Sequence, residues 1–183
     1  MTLRLMGANP CVTLYDEAGG ATAYASVWRV DWSLRGTGHA LVLGTYDRIR
    51  IIGPDADLGA WLGEEFNRHI VSVSDGIPWS APEHTLGEVE FTLDLATGFA
   101  AFADDVQVEI TTPIERYLTR NDRYDLGGTP NILSTVWIPC LTGSITVAGA
   151  RLSGEPKVDR AAPMSTAFIA DAEVWCTADH PQK

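Results

Sequence analysis

The sequence predicts a mainly β protein, folded as a single antiparallel, calycin-like β-barrel of about eight strands with one amphipathic helix around residues 56–70. Three observations predict this fold. Short apolar or alternating segments recur along the chain, separated by turns rich in Gly, Pro and Asp. Only one segment has helical spacing, whereas a parallel α/β fold would need a helix between most strands. The length of 183 residues suits one domain, so we expect residues 1–183 to form a single barrel domain.

The first strands are predicted over Cys11–Tyr15 and Ala23–Trp32, on either side of an acidic turn that contains two glycines. Because alternate residues of a strand point to opposite faces, the aromatic residues of the second strand share one face. That face comprises Tyr24, Ser26, Trp28, Val30 and Trp32. Arg29 and Asp31 lie on the other face, where we expect solvent.

Arg35–Gly38 predicts a tight turn, followed by a strand over His39–Tyr46 and a further strand segment over Arg48–Ile52. Gly53–Asp55 then ends the strand and begins a helix, because Pro and Asp favour the first helical turn. The helix is predicted over Ala56–Ile70, since apolar residues recur there at helical spacing. These residues are Leu58, Trp61, Leu62, Phe66, His69 and Ile70.

A loop is predicted over Asp75–Thr85, which contains two prolines. Leu86–Leu95 then alternates apolar residues with acidic residues and Thr, as is typical of a half-buried strand with one wet face. Phe99–Ile110 continues as a strand, which we expect Asp104 and Asp105 to interrupt.

Thr112–Pro130 is a polar stretch. Within it, Asn121–Asp125 is expected to be a solvated loop, because it lacks the glycine spacing and distal Glu of a calcium loop. The last strands are predicted over Ile132–Ile138, Gly143–Leu152 and Thr166–Thr177. The many strands and short turns favour a sheet that closes on itself, and a two-sheet sandwich capped by the helix is the structural alternative.

The charge balance excludes several classes of partner. Thirteen basic and 24 acidic residues give a net charge of −11, and such a surface repels nucleic acid and anionic membranes. The chain shows neither a secretory signal nor an apolar run long enough to span a membrane, so we expect a cytoplasmic protein. Three cysteines without a Cys-x-x-Cys pair are expected to be buried and unpaired. No nucleotide fingerprint, nucleophile elbow or metal-binding His motif is found, so no cofactor and no metal are predicted.

Six tryptophans in a mainly β chain are the strongest functional signal. Trp and Tyr supply flat apolar walls with a polar tip, which suits a hydrophobic small molecule in a barrel lumen, and core packing is the alternative explanation. The predicted substrate-binding residues are Trp28, Trp32, Trp61 and Trp137. The predicted catalytic residues are Tyr24 and Tyr46, which would donate hydrogen bonds to a carbonyl or enolate, and His39, which would act as a general acid or base.

Leu14–Gly19, which reads L-Y-D-E-A-G, and the aromatic strand Tyr24–Trp32 together resemble the start of the small bacterial β-barrel cyclases of polyketide pathways. This family includes spirotetronate-forming Diels–Alderases, and lipocalin-like barrels form the wider class. The detailed resemblance is limited to these two segments, and the helix around residues 56–70 departs from the simplest barrels. The resemblance implies a single-domain barrel with an aromatic-lined cavity and a mobile lid. It also implies cyclisation by confinement of the substrate, without a covalent step or a cofactor.

The function predicted first is therefore that of a cofactor-free cyclase or isomerase of natural-product biosynthesis. Its substrate would be a hydrophobic polyene or polyketide-type molecule, and a [4+2] cycloaddition is one such reaction. The alternative is a non-catalytic carrier for a hydrophobic small molecule. A third hypothesis is a structural or interaction domain with a filled core. The sequence leaves open whether the protein forms a homodimer.

Overall fold

A computed structural model describes residues 1–70 and 76–177 of the chain. Within these residues the chain forms fifteen β-strands, one α-helix (α1, Ala56–Glu65) and a short 3-10 turn at Asn67–His69. The strands are β1 (Thr2–Ala8), β2 (Cys11–Tyr15), β3 (Ala21–Ser33), β4 (Gly38–Thr45), β5 (Ile49–Gly53), β6 (Glu83–Leu86), β7 (Val89–Asp94), β8 (Gly98–Ala103), β9 (Val106–Pro113), β10 (Tyr117–Leu126), β11 (Thr129–Val147), β12 (Ala150–Arg151), β13 (Val158–Asp159), β14 (Met164–Ser165) and β15 (Ala167–Cys176). The prediction of a mainly β protein is confirmed.

Thirteen of these strands form one hydrogen-bonded sheet in the order β6-β5-β4-β3-β1-β15-β11-β9-β8-β7, with β2, β10 and β12 attached beside it. The order runs from β6 to β7, and these two end strands do not pair with each other in the part of the chain that the structure describes, so the predicted single eight-stranded barrel is not confirmed. The 19-residue strand β11 accounts for the departure from a simple barrel, because it pairs with different strands along its two halves. Its first half pairs with β10 and β15, and its second half pairs with β9 and β12.

The sheet folds over itself and has two hydrophobic cores, one on each face of β3. The first core lies between β2–β4 and the β7–β9 layer, and contains Val27, Leu41 and Phe99. The second core lies beneath α1 and contains Trp28 and Leu62. The predicted alternation of β3 is confirmed in its buried part, since its alternate residues enter different cores.

Helix α1 begins at the predicted place but ends earlier than predicted. The carboxylate of Asp55 accepts hydrogen bonds from the backbone N–H groups of Asp57 and Leu58, at 2.9 and 3.0 Å, and so caps the helix. The α-helix ends at Glu65, because Phe66 leaves the helical conformation with φ −125° and ψ −68°. The apolar spacing that predicted a helix to Ile70 is instead continued by the 3-10 turn.

No strand was predicted at the positions of five strands: β1, β6, β10, β13 and β14. β1 precedes the first predicted strand. β6 begins within the predicted Asp75–Thr85 loop and ends at Leu86; residue 75 of that loop is outside the described residues. β6 pairs with β5 in parallel, because α1 carries the chain across between them. β10 occupies the polar stretch over Thr112–Pro130. Its residues are mostly exposed, so no pattern of burial marked it as a strand. The two strands predicted over 132–138 and 143–152 are largely one strand, β11.

Candidate functional site

A cavity of about 200 Å³ lies on the second-core face of the sheet. Its lining comes from β1, β3, β11 and β15, from β10, which pairs with β11, and from residues that follow α1. Its lining is mainly apolar and comprises Leu5, Gly7, Asn9, Trp28, Phe66, Ile70, Thr119, Tyr124, Leu133, Thr135, Trp137, Phe168, Ala170, Ala172 and Val174.

Small residues on adjacent strands leave the space open. Alternate residues of β15 reach the cavity, and two of them, Ala170 and Ala172, have only a methyl side chain. Ala172 is paired with Gly7 of β1, and Ala170 is paired with Trp137 of β11. Gly7 cannot carry a larger side chain, because a Cβ atom there would lie 1.9 Å from the carbonyl oxygen of Arg29. The cavity is therefore a consequence of how these strands are paired.

β11 lines the cavity with the alternating residues Leu133, Thr135 and Trp137, and two of them carry a polar group. The Thr135 side chain is buried, with 4% of the residue exposed. Neither its hydroxyl oxygen nor Nε1 of Trp137 has a hydrogen-bond partner, although both atoms are buried. Buried polar groups without a hydrogen-bond partner are uncommon in folded proteins and need an explanation. The other face of β11 enters the first core through Ile138 and does not reach the cavity.

A buried hydrogen-bond network holds Trp28 in the cavity wall. Oδ1 of Asn67 accepts hydrogen bonds from Nε1 of Trp28 at 2.7 Å and from the hydroxyl of Ser26 at 3.3 Å. Nδ2 of Asn9 donates to the Ser26 hydroxyl at 2.9 Å. Asn67 is in the 3-10 turn and is fully buried, so the network fixes this turn against β3.

The thiol of Cys11 and the phenols of Tyr24 and Tyr124 stay in their protonated forms. Burial raises the pKa of the Cys11 thiol to about 12, and its Sγ donates a hydrogen bond to Oδ1 of Asn9 at 3.2 Å. Burial is also the main cause of the raised pKa of Tyr24 and of Tyr124. At neutral pH all three groups are protonated, so Tyr124 presents a neutral phenol at the cavity wall.

Two of the predicted substrate-binding residues, Trp28 and Trp137, lie in this wall. Trp61 does not line it and instead packs edge-on against Phe66, with ring centroids 5.1 Å apart. Tyr24 belongs to the same core but lies beneath Gly44 of β4 rather than in the cavity wall.

The remaining predicted site residues lie elsewhere. His39 is on the opposite face of the sheet, where its ring stacks on Phe91 with centroids 5.4 Å apart. Tyr46 is 75% exposed and Trp32 is 38% exposed, and neither lines the cavity. The structure therefore does not bring Tyr24, His39 and Tyr46 together around the space that Trp28 and Trp137 enclose.

Sequence reasoning missed Thr135, Tyr124 and Phe168 as wall residues. The alternation of Leu133, Thr135 and Trp137 was a usable signal for a shared face. No signal in the sequence could place Tyr124 there, because it belongs to a strand that is otherwise exposed.

Metal-ligating side chains do not cluster in the part of the chain that the structure describes: no group of three His, Cys, Asp or Glu residues there could hold a metal ion. The three cysteines are buried, as expected, and none of them forms a disulfide. Among the described residues, no helix has the length and apolar character needed to cross a membrane.

No protein-family model matches the chain, and no curated protein matches it. A solved structure of an acetoacetate decarboxylase from Legionella pneumophila subsp. pneumophila str. Philadelphia 1 is similar with a TM-score of 0.39 and 8% sequence identity. The similarity covers 95% of this chain and 84% of that chain. At this TM-score the likeness assigns neither a fold family nor an activity to this protein.

Proposed function

We propose that this protein binds a compact, largely apolar small molecule in the cavity between β15, β11 and β10. The observation that carries the proposal is the combination of an apolar space with two buried hydrogen-bonding groups, on Thr135 and Trp137, that have no partner. Ligand sites typically join a hydrophobic lining to a few such polar groups, which fix the orientation of the ligand.

The volume favours a ligand of one or two rings. Pockets for drug-sized ligands usually measure about 300–1,000 Å³, and this cavity measures about 200 Å³. A dry cavity of about 150 Å³ is already enough for benzene.

Non-covalent binding is the mode that the side chains around the cavity favour. Cys11, which belongs to the same core as the cavity wall, keeps its proton because burial raises its pKa to about 12. A thiol is a poor nucleophile compared with a thiolate. The indole and hydroxyl groups of the wall are hydrogen-bonding groups.

A second candidate is the cofactor-free isomerase or cyclase activity expected from the sequence, and Tyr124 is the observation that favours it. A neutral phenol at an apolar wall can donate a hydrogen bond to a developing enolate, and confinement lowers the entropy cost of bringing reacting atoms together. Mass spectrometry of a bound compound after incubation separates the two functions. A carrier returns its ligand unchanged, whereas an isomerase converts it and loses rate in Tyr124→Phe.

Binding of indane, a bicyclic hydrocarbon, tests the proposed function directly. We expect saturable binding of one molecule per chain by titration calorimetry, and about tenfold weaker binding to Ala170→Val, which fills part of the cavity. Ala150→Val, at an exposed position in β12, is the matched control and should bind like the wild type. Absence of saturable binding, or equal affinity in wild type and Ala170→Val, would contradict the proposal.

A further inference from the structure

We infer that the ligand is an uncharged carbonyl compound whose oxygen accepts hydrogen bonds from Trp137 and Thr135. This inference rests on the proposed binding function. Three properties of the cavity wall favour this class of ligand: its lack of charge, the hydrogen-bond donors that it offers and its flat aromatic surfaces.

The wall favours a neutral molecule. None of the described residues that line the cavity is Asp, Glu, Lys, Arg or His. An ionised ligand would therefore lose its hydration without gaining an opposite charge, which is strongly unfavourable in an apolar space. The protein's large negative charge lies elsewhere and would further disfavour an anion.

The two groups without a partner, on Trp137 and Thr135, favour a ligand with a hydrogen-bond acceptor. The indole N–H of Trp137 can only donate a hydrogen bond, so its partner must be an oxygen or nitrogen with a free lone pair. Thr135 lies two residues away on the same face of β11, and its hydroxyl can also donate. A carbonyl oxygen has two lone pairs and no proton, so it can accept from both groups at once.

The groups of the wall that are already paired do not compete for this oxygen. Nδ2 of Asn9 is used by Ser26 and by the backbone carbonyl of Val27, at 2.9 and 3.2 Å. The indole N–H of Trp28 is used by Asn67. Among the wall residues of β11, Trp137 and Thr135 are therefore the ones with a side-chain donor that has no partner, and the phenol of Tyr124 on β10 is a further donor in the wall.

The flat surfaces beside these groups favour a planar body. The Trp137 ring stacks on Phe168, and Trp28 contributes a second aromatic ring to the wall. Small neighbours, Ala170 and Ala172, leave room beside Trp137. A cyclic ketone or lactone of one or two rings meets the volume, the neutrality and the hydrogen-bonding pattern together.

The test compares 1-indanone with indane, which has the same skeleton without the carbonyl, and with the anion indane-1-carboxylate. We expect wild-type protein to bind 1-indanone about tenfold more tightly than indane by titration calorimetry, and to bind the carboxylate more weakly than either. Trp137→Phe and Thr135→Val should each lower the affinity for 1-indanone severalfold more than the affinity for indane, because only the ketone loses a hydrogen bond.

Trp32→Phe is the matched control, because it makes the same substitution outside the cavity, and it should keep the full preference. Circular dichroism checks the fold of each variant, and Thr135→Val, which preserves shape, decides the outcome if Trp137→Phe is unfolded. If indane binds but 1-indanone binds no better, or if both variants keep the preference, the ligand class is wrong while the binding function stands. If neither compound binds, the binding function itself fails, and the inference fails with it.

Discussion

The indole ring of Trp137 stacks on the phenyl ring of Phe168 with the two centroids 3.8 Å apart and the ring planes 28° from parallel. Trp137 belongs to β11 and Phe168 to β15, and the strand pairing sets Phe168 opposite Pro139, so the two rings meet diagonally across the ladder. Both residues line the cavity on one side and an open depression beside Met164 on the other. The stacked pair is thus a partition between the cavity and the surface.

Removing one ring of this partition should destabilise the fold. Phe168 is 5% exposed, and we expect Phe168→Ala to lower the free energy of unfolding by about 3–5 kcal/mol, because it removes both the buried area and the stacking contact. Urea denaturation at constant m-value measures the change. Phe102→Ala, at a position that is 48% exposed, is the control and should cost much less. Equal losses in the two variants would show that the stack contributes little.

Gly44 is expected to be intolerant of any side chain. A Cβ atom at this position would lie 2.1 Å from Cε1 of Tyr24, whose ring is fully buried and cannot move without disturbing the core. Gly44→Ala should therefore lower the melting temperature by several degrees or more. Gly87→Ala is the matched control, because its Cβ atom would meet Ile52 at an ordinary contact distance of 3.5 Å. A melting temperature for Gly44→Ala equal to that of Gly87→Ala would refute the expected clash.

The Asp55 cap should have a measurable effect on helix α1. Asp55→Ala removes the acceptor of two backbone hydrogen bonds, and we expect a loss of about 1 kcal/mol in the free energy of unfolding. Asp55→Asn keeps a capping oxygen and should recover most of that loss, apart from the favourable charge at the helix N-terminus. Chemical denaturation of the wild type, Asp55→Ala and Asp55→Asn measures the three free energies of unfolding. An Asn variant as unstable as the Ala variant would argue against capping by the side-chain oxygen.

His39 should make the protein less stable as the pH falls through the ordinary range of histidine. Burial, followed by the nearby positive charge of Arg29, lowers the pKa of His39 below its ordinary value of 6.5. The unfolded chain therefore binds a proton at a higher pH than the folded protein does, and the free energy of unfolding decreases as the pH falls through the unfolded value. Below the folded pKa this contribution becomes constant.

NMR titration of the His39 ring should give a midpoint below 6.5, and the difference in stability between wild type and His39→Gln should change between pH 8 and pH 5 in the stated direction. The comparison uses the change with pH rather than the absolute stability, because the variant also loses the stacking contact with Phe91. A midpoint at or above 6.5 would show that burial does not govern this group.

The amino-acid sequence by itself determined the features that depend on neighbours along the chain. The alternation in β3 and β7 predicted which residues face a core, because the pleat of a strand turns every second side chain to the same side. The start of α1 followed from Pro54 and Asp55, whose preferences act within one turn of the helix. The break at Asp104 and Asp105 was predicted for the same reason and is present between β8 and β9.

Only the tertiary structure decided how these elements meet. The exposed strand β10 carries no pattern of burial, so its pairing with β11, and with it the place of Tyr124 in the cavity wall, could not be predicted. The pairing of Ala170 with Trp137 sets a small residue beside a large one, and the pairing of Gly7 with Ala172 adds a second gap. These contacts join residues far apart in the sequence. A cavity arises from which strands become neighbours, whereas the local pattern determines only which side of each strand is buried.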